Sequence, residues 1–489
     1  MINISRTIRH SINYKNLSSI KYILLVLSVM FTTLSINSCK KAIEIDPPAT
    51  QLATTSVFEN NSTATAAVLS LYAQMVGDPW AIHRFTALSS DEFTNYATDQ
   101  TSQNAYMNSL NSQIDASNLY IWSSAYSYIY QTNAIIENLQ ISTGVSSKIK
   151  QQLLGEALFI RSYWYFNLIN FYGDVPLVIT ADYKSNAVMS RTSKEIVYEQ
   201  AVSDLKNAQN LLNSNYVDAS DTASTGDRIR PNKGGATALL ARIYLYTNDW
   251  SKAEEQASTL INNTAMYDTV ALNKVFLINS KEAIWQIPPT SGSLYTRDGG
   301  NFQLTASPAS TLNNSTSLSP NLLNAFETND NRKNEWVKIY TNSSGTWYFP
   351  YKYRAGTNSP ALTEYTMIFR LAEQYLIRAE ARVKQNNNNG AIDDLNVIRK
   401  RARLSSLSYS LTQAQILTAI AHERQVELFT EGDRWFNIKR TGEVDNIMKV
   451  VTPIKSKGVI LWESYQQIYP IPITDIQNDP NLEQNIGYQ

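Results

Sequence analysis

Glu427 and Glu431 stand four positions apart, the spacing at which a helix would offer a general acid and a general base to one substrate. Cleaving a glycosidic bond needs only two such carboxylates in a cleft. Their neighbours argue against that chemistry. Glu423, Arg424, Asp433 and Arg434 supply opposite charges at helical spacing, the pattern of a salt-bridged structural helix. Of three histidines, His10 falls in an N-terminal segment that reads as removable, leaving His83 and His422. With a single cysteine, these are too few for a His-rich zinc site. Neither lies in a nucleophile context, and no phosphate- or dinucleotide-binding glycine fingerprint is present. What remains are the residue types of binding without catalysis. A sugar presents apolar C–H faces and a rim of hydroxyls, so its capture needs flat rings beside carboxylates, amides or arginine. Two polar stretches carry that mixture, Asp78 to Asp99 and a long segment from about Asn263 to Thr363. The candidate ligand contacts are Trp80, Asp91, Glu92, Asn95 and Tyr96 in the first, and Tyr295, Arg297, Trp347 and Tyr351 in the second, where Tyr348, Lys352 and Tyr353 accompany them. The same loops could hydrogen-bond an extended peptide, which is the alternative ligand. No metal ligand and no catalytic residue is assigned.

The one cysteine, Cys39, has a different chemistry available. Residues 1–38 carry Arg6, Arg9, Lys15 and Lys21 without an acid, and Tyr22 to Phe31 is a short apolar run. Such a run is too short for a bilayer, which takes about 20 residues, and reads as the core of a signal peptide over residues 1–38. Ile36-Asn37-Ser38-Cys39 matches a bacterial lipobox, in which the sulfur takes a diacylglycerol and the new amino terminus takes an acyl chain such as palmitate. Several chains together make a stable anchor. Residues 39–54 would then be a lipidated, proline-containing spacer, with no other cofactor expected.

The remainder, 55–489, reads as a single helical domain. Losing the four basic residues of the signal leaves 38 basic against 42 acidic side chains, a balance of −4. No basic stripe for nucleic acid is present. A first helix is expected at about Thr55 to Met75, then irregular chain from Gly77 to Ser117. Three- and four-residue periodicity marks helices over Leu119 to Leu139, Leu153 to Tyr172 and Thr192 to Leu212, with Gly173 as a helix stop. Gly235 to Ile261 and Arg370 to Ala402 each read as two helices about a polar turn, the second turn at Asn386 to Asn389, with small residues where helices approach. This is similar to the tetratricopeptide repeat, interrupted by long insertions.

Three segments resemble the SusD/RagB family of outer-membrane lipoproteins: GEALFIRSYWYFNLINFYGDVPLV (Gly155 to Val178), ERQVELFTEGDRWFNIKRTG (Glu423 to Gly442) and IYPIPITDIQNDPNLEQNIGY (Ile468 to Tyr488). With the lipobox and the Arg370 to Ala402 pair, the resemblance spans essentially the whole chain after the signal. It implies a mostly α fold, in which four irregular tetratricopeptide-like helix pairs form a scaffold and loop-rich insertions (about 263–363) make a ligand face. It also implies a Bacteroidota lipoprotein on the outward side of the cell outer membrane, delivering glycans or peptides to a SusC-like TonB-dependent transporter, without cleaving them. The acids that follow the acylated cysteine in surface-exported members are displaced here: Lys40 and Lys41 precede Glu44 and Asp46. The shared motifs are scaffold, so the resemblance carries over a ligand region and no ligand residue.

Overall fold

Asn60 starts the first helix, its side chain accepting a hydrogen bond from Thr63 N, and α1 (Asn61–Gln74) buries Ala64, Val68 and Leu71. These positions belong to a computed structural model that describes residues 55–488 apart from 222, 311 and 312. The signal, Cys39 and the spacer lie outside the described residues. The stretch expected to be irregular folds instead into α2 (Asp78–Ser89), β1 (Phe93–Asn95), α3 (Gln100–Met107) and one turn at Asp115–Asn118. Asp78 and Pro79 favour the start of α2, the first by charge at the positive helix end and the second by its fixed φ. Its periodicity is hidden because polar side chains also face inward. His83 Nδ1 sits 2.7 Å from Asp298 Oδ1, and Arg84 donates to Ser102 Oγ at 2.8 Å.

Five longer helices follow: α4 (Ile121–Ile141), α5 (Ser147–Tyr172), α6 (Lys194–Leu211), α7 (Lys233–Tyr246) and α8 (Trp250–Ile261). Gly173, at φ 73°, stops α5 as the sequence predicts. The chain then leaves the helical layer through β2 (Ala283–Ile287), α9 (Arg297–Phe302), β3 (Thr316–Leu318), α10 (Pro320–Ala325), α11 (Asn331–Trp336), β4 (Val337–Asn342), β5 (Gly345–Pro350) and β6 (Thr366–Arg370). It returns with α12 (Leu371–Lys384), α13 (Asn388–Arg401), α14 (Gln413–Glu427), α15 (Asp433–Arg440) and α16 (Val444–Lys455). The turn before α13 is shorter than expected: Asn386 takes a positive φ and Asn387 caps the helix by accepting from Gly390 N.

Each long helix packs on the next, α4 on α5, α5 on α6, α6 on α7, α7 on α8, α8 on α12, and α12 on both α13 and α14. This is the irregular tetratricopeptide-like scaffold, and the fold is mostly helical. Bidentate guanidinium contacts pin the layer: Arg161 to Asp204 at 2.7 Å through both Nε and Nη2 joins α5 to α6, and Arg242 to Glu373 at 2.6 and 2.7 Å joins α7 to α12. Trp285 on β2 sits edge-on to Tyr72, Phe159 and Tyr163, so much of the aromatic surplus is core. The strands form three antiparallel pairs, β1 with β3, β2 with β6 and β4 with β5. Among the described residues, no helix is long and apolar enough to cross a membrane.

Candidate ligand-binding cleft

The pairing of β1 with β3 builds one wall of a cleft of about 430 Å³. Phe93 lies opposite Leu318 and Thr94 opposite Ser317, and Tyr96 N extends the ladder by donating to Ser315 O at 2.8 Å. Phe93 points into the core and stacks edge-on against Phe302, so the strand's alternation turns Thr94 and then Tyr96 toward the cleft. Ser319 closes the strand and caps α10, which brings Pro320, Leu323 and Asn324 to the floor. Asp330 caps α11 and sets Lys333 on the rim, its Nζ donating to Leu323 O at 3.2 Å.

The hairpin β4–β5 supplies the facing wall, with Thr346, Trp347 and Tyr348. Trp347 pairs across the hairpin with Tyr340, the two rings 6.4 Å apart and tilted by 36°. The indole folds back over Gly345, where a Cβ would stand 3.0 Å from Cζ2, so only glycine leaves it unobstructed. Tyr96, Trp347 and Tyr348 are all half-buried, and Tyr96 Oη is 3.3 Å from Ser317 Oγ. The lining therefore combines three phenol or indole rings, four hydroxyl or amide side chains and one cation, with no carboxylate.

The structure thus unites Tyr96 and Trp347 from the predicted set and places the others elsewhere. Trp80, Tyr295 and Arg297 do not line the cleft. Trp80 packs on the main core under the guanidinium of Arg84, Tyr295 lies against Gly300, and Arg297 lies beside Gly77 and Asp78. Tyr351 carries Lys338 Nζ 4.0 Å over its ring. Asn95 is tied into its own turn, accepting from Ala97 N at 3.2 Å. Asp91 and Glu92 need correction as surface contacts, because both are interior. Burial would raise Asp91, but Arg434, donating through Nε and Nη2 at 2.8 Å each, holds it below the usual carboxylate range. Glu92 has only Thr430 N at 3.3 Å, and burial pushes it up to about 8. Lys352 and Tyr353 are likewise interior: Lys352 Nζ donates to Phe429 O at 2.6 Å, and Tyr353 Oη accepts from Met367 N at 2.8 Å. Sequence reasoning missed Thr94, Ser317, Asn324, Lys333 and Thr346. No local signal marks them, since they converge only through the pairing of β1 with β3.

The carboxylates with catalytic spacing are fully engaged. Glu427 accepts from Arg332, Arg370 and Arg401, and Glu431 from Arg370 and Lys352. Burial alone would raise Glu427, yet these three guanidinium groups hold it far below the usual range, so it stays ionised and has no proton to give. Among the described residues, Glu327, His422 and Glu423 have ligand atoms close enough to share a cation. Both glutamates are already bound by Arg399, and Glu423 also by Arg332, which neutralises the group without a metal.

Two family profiles match the chain: one described as starch-binding and associating with outer membrane, over residues 46–245, and one described as the SusD family, over residues 331–488. A SusD-like protein of Formosa agariphila is 26% identical over 448 residues, 80% of this chain and 86% of that protein. A SusD superfamily protein of Bacteroides vulgatus has the same fold, with a TM-score of 0.74 at 21% identity over 88% of this chain and 99% of its own. A structure described as a laminarin-binding SusD-like protein gives 0.69 at 21% identity, over 88% of this chain and 100% of its own.

Proposed function

Because the chain belongs to the SusD/RagB family, a family of glycan-binding proteins associated with the outer membrane, we propose that it captures an oligosaccharide and hands it to a SusC-like TonB-dependent transporter. The observation that carries this reading is the convergence of Tyr96, Trp347 and Tyr348 on one cleft with Thr94, Ser317 and Asn324 beside them. The rings offer faces for the apolar C–H side of a sugar, and the hydroxyls and amide meet its rim. A cleft without a carboxylate has no acid and base for glycoside hydrolysis, which supports capture without cleavage. The name of the laminarin-binding neighbour supports a glucan as the first ligand to try. The basic and apolar run of residues 1–38 before Cys39 supports a lipid anchor on that cysteine.

The test is calorimetric titration of the protein with laminarin oligosaccharides, maltooligosaccharides and extended peptides, with product analysis of each sample. Saturable heat with one glycan class and unchanged chain lengths is the expected result. Heat from peptides alone, or new reducing ends, would overturn it. Anchoring is tested separately by labelled palmitate, whose incorporation should vanish in Cys39→Ala.

A further inference from the structure

A second concavity, of about 830 Å³, lies between α6, the end of α7 and α15, with Gln467 and Ile468 at its edge. Its inner wall holds two cations whose hydrogen-bonding capacity is not used up. Lys439, on α15, is half-buried and donates to Asn170 O, and no carboxylate of the described residues pairs with it. The rings of Trp435 and Phe436 lie 5.5 and 5.2 Å from its ammonium and ease its burial without neutralising it. The neighbouring Arg440 commits both Nη groups to Glu380 and Asn437, while its buried Nε–H has no acceptor. Lys194 on α6 adds positive charge from the opposite side. Burial first, and Lys194 second, push Lys439 down to about 7, so the site opposes its own cation unless an anion arrives.

The carboxylates on the lining do not fill that role. Asp249 pairs with Lys252, and Glu195 and Glu199 stand exposed on the α6 rim. Tyr198 and Tyr244 line the same walls and offer ring surface beside the cations. A half-buried ammonium whose one partner is neutral is poorly compensated, and an anion that brings its own lone pairs relieves the cost.

We propose that this cleft is a second binding site, which takes the carboxylate or sulfate of an acidic sugar on Lys439, with Tyr198 and Tyr244 against the ring. It is separate from the aromatic cleft and does not rest on the neutral-glycan reading.

The experiment is calorimetric titration of the full-length protein in detergent, as the Trp347→Ala variant so that heat from the aromatic cleft does not enter. The probes are D-glucuronate, D-galactose 6-sulfate and D-glucose at constant ionic strength, up to about 10 mM, the weak end of measurable affinity. Saturation by at least one anion and none by glucose is expected, and adding Lys439→Met should weaken the anion at least tenfold. Lys439→Met should melt no lower than its parent, because it removes a half-buried charge that no carboxylate pairs with. Should it fail to fold, Lys194→Gln, at an exposed position, is expected to weaken the anion two- to threefold. Binding of one anion alone keeps the site and fixes its headgroup, whereas binding of both assigns it to charge. Silence from both anions, equal binding of glucose, or anion affinity unchanged by Lys439→Met or Lys194→Gln would overturn the proposal.

Discussion

Glu427 meets the guanidinium groups of Arg332, Arg370 and Arg401 in the interior, whereas Tyr96 and Trp347 face each other across a cleft whose only charged lining residue is Lys333. The first region is dense in ionisable groups, and each charge in it is already met by its opposite. The second is poor in charge, and its hydroxyls meet only other hydroxyls, Tyr96 with Ser317 and Thr346 with Thr341, each of which keeps lone pairs for a ligand. Density of reactive side chains is therefore a poor guide to function in this protein, and uncommitted capacity is a better one. A buried ion network holds the last helices against the strands, and the open cleft can change its ligand without disturbing them.

The sharpest way to separate the two regions is to break the first. Glu427→Ala leaves three arginines facing one another in the interior and should cost about 3–5 kcal/mol of stability, read as a fall in the urea midpoint, while the fraction that remains folded binds glycan normally. Equal loss of affinity would mean that the cleft depends on the network. Since the pKa of Glu427 is depressed on folding, its stabilisation is present at neutral pH and lost as pH falls below the ordinary carboxylate value.

Glu92, beside the network but without a strong partner, should behave in the opposite sense. Its folded pKa of about 8 lies above the unfolded value, so its contribution is intact below about pH 4.5 and is lost as pH rises toward 8. Glu92→Gln should flatten that decline and gain on the order of 2–4 kcal/mol at pH 8. A pH profile identical to that of the parent would show that Glu92 is not the titrating group.

In the open cleft the effects should move to affinity. Trp347→Ala is expected to weaken oligosaccharide binding about tenfold, or roughly 1.4 kcal/mol, and to change stability by less than about 1 kcal/mol. Unaltered affinity would remove the hairpin from the site. Gly345→Ala should do less to binding: its methyl group tilts the indole, and a two- to fivefold loss of affinity is expected together with a lowered melt, because φ 155° strains any L side chain.

The scaffold was legible because its helices carry apolar faces at regular spacing and because Gly173 ends α5 by the same rule that predicts it. The segment 77–117 was not, since buried polar residues such as His83 and Arg84 look like loop composition until Asp298 and Ser102 are found beside them. The rings of the cleft were half legible. Trp347 and Tyr96 stood out as aromatics in polar surroundings, but so did Trp80 and Tyr353, which anchor the interior. Periodicity says which face of an element is apolar; it does not say which distant strand will cover it, and that decides whether a ring packs or binds. Asp91 and Glu92 misled for the same reason, because their partners Arg434 and Thr430 arrive from more than 330 positions away.

Tyr96 and Ser317, which touch in the cleft wall, are 221 positions apart along the chain. Contacts at such separation form late, because a long loop must close before they repay its entropy. No disulfide can hold the two strands together in the meantime, as Cys39 has no partner. The proposed glycan capture is thus acquired only after most of the polypeptide has emerged and folded, and a chain stalled or clipped before β3 would carry only Thr94 and Tyr96 of the recognition surface. Retention on a glycan resin would therefore select molecules that have completed their folding.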